Sequence, residues 1–149
     1  KCDNDDLHTI FNAQPDILGH NIETVPRLYR EVRPQARYDW SLAVLRRSKD
    51  FGLRTKTAFM VGLGETTEEV FALMEDVAET GCDILAIGQY LQPTRRHLPV
   101  QRFVHPDEFS VYSRVGLKMG LDWVEAGPLV RSSYHADEQA IRKGETVHR

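Results

Sequence analysis

A run of polar side chains near residue 130 is the strongest chemical signal in the sequence. It follows an apolar stretch and reads Arg131-Ser132-Ser133-Tyr134-His135-Ala136-Asp137. So many hydrogen-bonding groups cannot all be buried without partners. The run is therefore either a polar turn near the C-terminus or part of a functional site, and its spacing is compatible with both.

Two further polar segments follow predicted strands. Asn21 and Glu23 are two residues apart, which places both side chains on one side of an extended segment. An amide beside a carboxylate suits a diol such as a ribose, although an exposed turn would also carry this pair. Gly62 and Gly64, followed by Glu65, let a ligand approach the backbone before a helix N-terminus, but a tight turn explains them as well. The segment has no P-loop lysine.

A third polar segment follows the next predicted strand. Gln89 and Tyr90 could bracket a planar ring, with Tyr90 stacking on it. Tyr90 could equally be an aromatic residue of the core, and the sequence leaves both interpretations open.

The elements that must position these segments alternate between strands and helices. Strands are predicted at 17–23, 55–62, 82–91 and 121–125, and helices at 38–51, 66–80 and 106–120. This order implies right-handed crossovers and a parallel sheet. The chemistry of such α/β folds gathers at the carboxyl ends of the strands. We therefore predict half of a (β/α) barrel, or a small open α/β sheet.

Composition excludes several function classes. The 149 residues are 41% apolar and 28% charged, as in soluble globular proteins, and no apolar run approaches membrane-spanning length. A net charge of −3, with scattered basic residues, gives no footprint for nucleic acid. Cys2 and Cys82 are too few for a disulfide framework or a zinc site, which favours a cytoplasm-like compartment.

Four ordered motifs between about Pro15 and Asp137 resemble lipoyl synthases, a radical S-adenosylmethionine (SAM) family. The motifs are His20-Asn21-Ile22-Glu23-Thr24-Val25, Val61-Gly62-Leu63-Gly64-Glu65-Thr66, Gly88-Gln89-Tyr90-Leu91-Gln92-Pro93-Thr94 with His97-Leu98-Pro99-Val100, and the Arg131–Asp137 run. The resemblance implies an α/β fold, with the second half of a radical SAM partial (β/α) barrel over 1–126. Residues 127–149 are assigned to a C-terminal segment with the Arg-Ser-Ser-Tyr motif, and the charged stretch from Glu138 is expected to be a mobile tail.

The resemblance also implies a reaction and its cofactors. Lipoyl synthases insert two sulfurs, at C6 and C8 of a protein-bound octanoyl chain. One [4Fe-4S] cluster cleaves SAM to a radical that abstracts hydrogen, and an auxiliary [4Fe-4S] cluster is the sulfur source. The implied partners are an octanoylated lipoyl carrier protein (the glycine cleavage H protein or a dehydrogenase E2 lipoyl domain), an electron donor and an iron–sulfur carrier. Nucleic acid and membranes are not implied.

Motif matching implies roles for individual residues. The residues assigned to SAM binding are Asn21, Glu23, Gly62, Gly64, Glu65, Gln89, Tyr90 and Leu91, of which the last three are expected near the adenine. Ser133, in preference to Ser132, is expected to ligate an iron of the auxiliary cluster, because an alkoxide binds Fe(III) yet is readily displaced by protonation. Arg131 is expected to support the cluster's negative charge.

The chain departs from the family in its cysteines. The triads Cys-x3-Cys-x2-Cys and Cys-x4-Cys-x5-Cys are both absent, and Cys2 and Cys82 match neither. Because iron–sulfur clusters need several thiolates, we expect the C-terminal half of such an enzyme, truncated at the N-terminus and inactive alone. The alternatives are a cluster-free module that binds the carrier protein and an unrelated (β/α) phosphate-binding enzyme that uses Gly62 and Gly64. The expected compartment is the bacterial cytoplasm, or a mitochondrion or plastid.

Overall fold

The structure is a computed structural model that describes residues 4–141. Cys2 and most of the predicted mobile tail, residues 142–149, lie outside the described residues. A four-stranded sheet forms the centre, in the order β1 (Leu18–Gly19), β2 (Thr55–Val61), β3 (Ile84–Gln89) and β4 (Trp123–Gly127). Every neighbouring pair is parallel. This confirms the predicted α/β fold with crossover helices and is consistent with part of a (β/α) barrel.

Three helices were predicted from apolar spacing, and all three form. They are α3 (Tyr38–Asp50), α4 (Thr67–Glu79) and α5 (Pro106–Lys118). Four short elements were not predicted, namely α1 (Asn4–Asn12), a 3-10 turn (Pro26–Leu28), α2 (Tyr29–Val32) and α6 (Ala136–Ile141). The last one corrects the expectation of a mobile tail from Glu138, because Gln139 of α6 is fully buried.

The start of α4 shows how the sequence fixes a helix boundary. Thr66 is the N-cap, and its hydroxyl accepts a hydrogen bond from the Glu69 N–H at 3.2 Å. In return, the Glu69 carboxylate accepts from the Thr66 N–H at 2.8 Å. This capping box satisfies two backbone donors that a helix start otherwise leaves free, so the preceding Gly62–Glu65 loop has a fixed exit.

The two faces of the sheet are covered differently. On the outer face, Phe59 and Val61 of β2 and Leu85 and Ile87 of β3 join the main core beneath the helices. On the inner face, the small side chains of Ala58 and Ala86 pack against Val130 in a separate cluster. The segment after β4 therefore folds back over the inner face, and this brings the Arg131–Asp137 run onto the sheet.

The first strand differs most from its predicted bounds, and the other three differ by one or two residues at their ends. The first was predicted over 17–23, but β1 ends at Gly19, and Glu23 returns to β2 only through an isolated bridge to Phe59. The interruption has a backbone cause, since Glu23 has a φ of +76°, in the left-handed region that extended strands do not use. The fourth strand begins at Trp123, two residues later than predicted.

Asp83 joins several elements at the amino edge of the sheet. Its buried carboxylate accepts hydrogen bonds from Lys49 Nζ of α3, at 2.7 and 2.9 Å, and from the Thr55 N–H of β2, at 2.7 Å. Its backbone carbonyl accepts from the N–H groups of Asp122 and Trp123, at 3.0 and 3.1 Å. One residue thus connects α3, β2 and the start of β4.

We predict that Asp83→Ala lowers the free energy of unfolding by about 2–4 kcal/mol, because it leaves the Thr55 N–H and the Lys49 ammonium without their buried acceptor. Urea unfolding followed by circular dichroism measures this. Asp39→Ala is the matched control, since Asp39 pairs with Arg37 in solvent, and it should change stability little. Equal unfolding midpoints for the two variants would contradict the role assigned to Asp83.

Candidate functional site

Three neighbouring cavities open at the carboxyl edge of the sheet, and Glu23 lines all three. The first, of about 160 Å³, includes Asn21, Glu23, Gln89, Leu91, Arg131 and Ser132 in its lining. The second, of about 500 Å³, includes Glu23, Arg33, Tyr90, Leu91 and His97. The third, of about 430 Å³, includes His20, Asn21, Glu23, Lys56, Ser132 and Ser133. Segments far apart in sequence therefore meet here.

The turn at Asn21–Glu23 places both side chains by a route that the sequence did not predict. Glu23 is held in its left-handed conformation by β2, since its N–H donates to the Ala58 carbonyl at 3.0 Å and its own carbonyl accepts from the Met60 N–H at 2.9 Å. Such a conformation costs a non-glycine residue on the order of 1 kcal/mol. Asn21 and Glu23 share two cavities because of this strained turn and not because of strand alternation.

The Gly62–Glu65 loop is closed by its own carboxylate. Glu65 is buried and accepts hydrogen bonds from the Gly62 N–H at 2.6 Å and the Leu63 N–H at 2.9 Å. These are donors that a bound phosphate would need. Gly62, Gly64 and Glu65 line none of the three cavities described above. The loop therefore acts as a structural wall, and two of the backbone donors that a phosphate would use are already occupied.

The polar groups of Gln89 and Tyr90 also form hydrogen bonds within the protein. The Gln89 amide donates to the carbonyls of Tyr90 and Arg102, at 3.0 and 3.1 Å, and accepts from the Val104 N–H at 2.8 Å. The Tyr90 hydroxyl donates to the Leu98 carbonyl at 2.8 Å. Both residues are buried, whereas Leu91 is 46% exposed. Of these three, Leu91 has the side chain most available to a ligand.

Arg27 ties the first loop to the second, a link that sequence reasoning missed. Its guanidinium donates to both oxygens of Glu69, at 2.7 and 2.9 Å, and to the Gly64 carbonyl at 2.8 Å. The hydrogen bond from Arg27 lowers the pKa of Glu69 to about 2. Glu69 therefore stays charged well into the acid range and serves both the helix cap and this link. The position of Glu69 three residues after Thr66 indicates a capping box. Nothing in the sequence near Glu69 indicates that Arg27 is its distant partner.

The serine-bearing segment lies directly on the sheet. A Cβ atom added at Gly88 would lie 2.3 Å from the Val130 carbonyl oxygen, so only glycine permits this approach. Arg131 Nη1 donates to the same oxygen at 2.7 Å. Ser132 lines the first and third cavities, and Ser133 lines the third. The polar run is thus part of the cavity system, and the choice of Ser133 over Ser132 stays a prediction.

His20 adds a neutral imidazole to the third cavity. Burial, reinforced by the nearby positive charge of Arg33, lowers the pKa of His20, so the ring is uncharged at neutral pH. Among the described residues, its Nε2 atom has no hydrogen-bond partner. Arg33 itself donates to the Asn21 carbonyl at 2.9 Å, which fixes the turn from the other side.

Metal-binding capacity in the described part of the chain is limited. Between residues 4 and 141, no cluster of three or more His, Cys, Asp and Glu side chains could hold a metal ion. Cys82 is buried at the amino end of β3, away from the cavities, and its thiol donates to the carbonyls of Thr55 and Ile84. Burial raises the pKa of this thiol. The thiol that the described residues contain is therefore buried and lies away from the cavities.

No helix between residues 4 and 141 is both long and apolar enough to cross a bilayer.

Comparison with known proteins identifies related sequences. The chain matches the Radical SAM superfamily over residues 2–77. It is 57% identical to the lipoyl synthase of Rubrobacter xylanophilus over 141 residues, which is 93% of this chain and 44% of that protein. The lipoyl synthase of Bacillus subtilis is 54% identical over 137 residues, covering 91% of this chain and 46% of that protein. These relatives confirm the resemblance seen in the motifs, and this chain spans less than half of their length.

We predict that Gly88→Ala displaces the Val130–Ser133 segment, because the new methyl group would overlap the Val130 carbonyl. Hydrogen exchange of residues 130–134 should accelerate by about tenfold or more. Gly19→Ala is the matched control, since a Cβ atom there meets nothing within 4 Å. Unchanged exchange in the Gly88 variant would show that the segment does not depend on this contact.

Proposed function

The chain belongs to the radical SAM superfamily, and we propose that it forms the part of a lipoyl synthase that binds SAM and supplies a serine ligand to the auxiliary cluster. One observation carries this proposal. Asn21 and Glu23, from one end of the motif series, meet Ser132 and Ser133, from the other end, in the same cavity. The high identity to lipoyl synthases over most of the chain supports it.

The first cavity offers groups suited to SAM. The Glu23 carboxylate can accept hydrogen bonds from ribose hydroxyls and attract the positive charges of SAM, and the Asn21 amide can both donate and accept. The exposed Leu91 side chain lies beside both and can contact an adenine face. Gln89 and Tyr90 contribute by shaping the loop, and Glu65 by closing the adjacent wall. Bound at a reduced [4Fe-4S] cluster, SAM supplies the chemistry that activates unreactive C–H bonds.

The serines provide the second half of the proposal. A serine oxygen can complete a cluster whose thiolates come from elsewhere in the enzyme, and protonation can release it when the cluster gives up sulfur. We assign this role to Ser133. Arg131 lines the first cavity with Ser132, and its positive charge would favour an anionic cluster there.

The substrate and partners follow from the same proposal. The substrate is an octanoyl chain on a lysine of a lipoyl carrier protein, either a glycine cleavage H protein or a dehydrogenase E2 lipoyl domain. An electron donor and an iron–sulfur carrier act with it. We place the enzyme in the bacterial cytoplasm, in keeping with its bacterial relatives, and we expect the chain alone to be inactive.

A single assay tests this function. A full-length protein that contains this chain is reconstituted with iron and sulfide without oxygen and mixed with SAM, reductant and an octanoyl-lysyl peptide. Mass spectrometry should detect a peptide that has gained two sulfurs. If the protein holds iron and cleaves SAM but leaves the peptide unmodified, it catalyses another radical SAM reaction. A protein that holds no iron would favour the carrier-binding module.

We predict that Asn21→Ala and Glu23→Ala each weaken SAM binding by about tenfold or more, since each removes a hydrogen-bonding group from the cavity and Glu23 is charged. Isothermal calorimetry on the full-length protein measures the affinity. Glu79→Ala is the matched control, because Glu79 is exposed at the far end of α4. An unchanged affinity would remove the altered residue from the SAM site.

We predict that Ser133→Ala abolishes sulfur insertion and leaves much of SAM cleavage intact, because the two processes use different clusters. Product analysis follows lipoyl peptide and cleaved SAM in one reaction. Ser132→Ala is the comparison, and its lipoyl yield should stay near that of the unaltered enzyme. The reverse pattern would assign the ligand to Ser132, and full yield from both variants would end the serine-ligand hypothesis.

A further inference from the structure

The buried amine of Lys56, on β2, forms hydrogen bonds with the segment that follows the two serines. Lys56 is only 5% exposed, which is rare for lysine. Its Nζ donates to the Gln139 side-chain oxygen at 2.6 Å and to the Tyr134 carbonyl at 3.2 Å. The partners are 83 and 78 positions away in sequence, so this contact joins α6 and the polar run to the centre of the sheet.

Arg54 strengthens the same attachment. Its Nη1 atom donates to the backbone carbonyl of Gln139. Gln139 is fully buried, and its own N–H continues the α6 helix by donating to the His135 carbonyl at 3.0 Å. Two cationic side chains, one in β2 and one just before it, therefore hold both the side chain and the backbone of a single residue.

This attachment is a poor device for stability alone. Both hydrogen-bond acceptors of Lys56 are neutral, although the Glu125 carboxylate is near enough to favour its charge. Within the described residues, Gln139 Nε2 and Arg54 Nε have no hydrogen-bond partner. Apolar side chains of similar size would avoid the desolvation cost of these groups. Directional hydrogen bonds do fix the register of the segment, which apolar contacts specify less sharply.

The attachment brackets the two serines. On one side, Val130 is fixed against Gly88 and the inner-face alanines. On the other side, Tyr134 and Gln139 are fixed to Lys56. Ser132 and Ser133 span the interval, and Lys56 lines the same cavity as both.

We propose that Lys56 is a positioning residue that presents the serine ligand by holding Gln139 and the Tyr134 carbonyl, with Arg54 in support. The inference rests on the proposed function, because the serine matters only if it meets a cluster. Its structural half, that Lys56 holds the segment, stands independently of any reaction.

The test uses the full-length enzyme with Lys56→Met, which keeps an unbranched side chain but removes the donor. Hydrogen exchange is measured first, without SAM or added iron. Amides of residues 133–141 should exchange at least about tenfold faster, while those of β3 stay protected. In the reconstituted enzyme, sulfur insertion should fall by about tenfold or more with SAM cleavage nearly unchanged. Lys118→Met, an exposed lysine at the end of α5, should alter neither measurement.

A second pair of variants covers the case in which Lys56→Met fails to fold. Gln139→Glu keeps an acceptor for the Lys56 amine and should retain both segment protection and sulfur insertion. Gln139→Leu removes the acceptor and should lose both, again with SAM cleavage preserved. A merely structural role would lower SAM cleavage and sulfur insertion together.

The outcomes separate the two proposals. Unchanged exchange in Lys56→Met and Gln139→Leu, or a loosened segment with full sulfur insertion, overturns the positioning role. An unaltered enzyme that gains iron and cleaves SAM but inserts no sulfur overturns the proposed function instead, and the exchange data still decide whether Lys56 holds the segment.

Discussion

The inner face of the sheet must be covered by irregular backbone, and the rest of the site depends on this constraint. Ala58, Ala86 and Gly88 form a shallow bed on which Val130 and its carbonyl rest. Any larger side chain there would lift the segment and separate the serines from the Asn21–Glu23 turn. Small residues on one face of two neighbouring strands thus determine where the polar Arg131–Asp137 run can lie.

Much of the polarity in the strand-end loops holds the backbone and is not free to bind a ligand. Glu65 satisfies its own loop, Gln89 holds the chain that returns at Arg102–Val104, and Arg27 joins two loops. This leaves a smaller set of groups facing the cavities, chiefly Asn21, Glu23 and the Arg131–Ser133 stretch. A rigid rim surrounds a few available side chains, which is the arrangement that a preorganised site requires.

The sequence predicted what depends on local periodicity and failed where distant partners decide. The three main helices and the two buried strands, β2 and β3, follow apolar spacing and Gly or Pro boundaries, so their bounds were close. The Glu23 turn was missed because its φ of +76° is imposed by β2. Helix α6 was missed because Gln139 is polar and so gives no apolar pattern. The burial of Gln139 depends on Lys56 and Arg54, which lie more than 80 positions away in the sequence. Gln89 and Glu65 were correctly placed at strand ends, but the direction of their hydrogen bonds was not readable.

The carboxylate inside the Gly62–Glu65 loop has a consequence for selectivity. A loop of this shape ordinarily attracts phosphate, and adenine nucleotides share their base and ribose with SAM. Here the loop contains its own negative charge, placed on the amides that a phosphate would seek. If the neighbouring cavities hold SAM, as we propose, this carboxylate disfavours the phosphate of a nucleotide and does not repel a cationic sulfonium. The loop would then discriminate against the abundant phosphorylated relatives of SAM without contacting SAM itself.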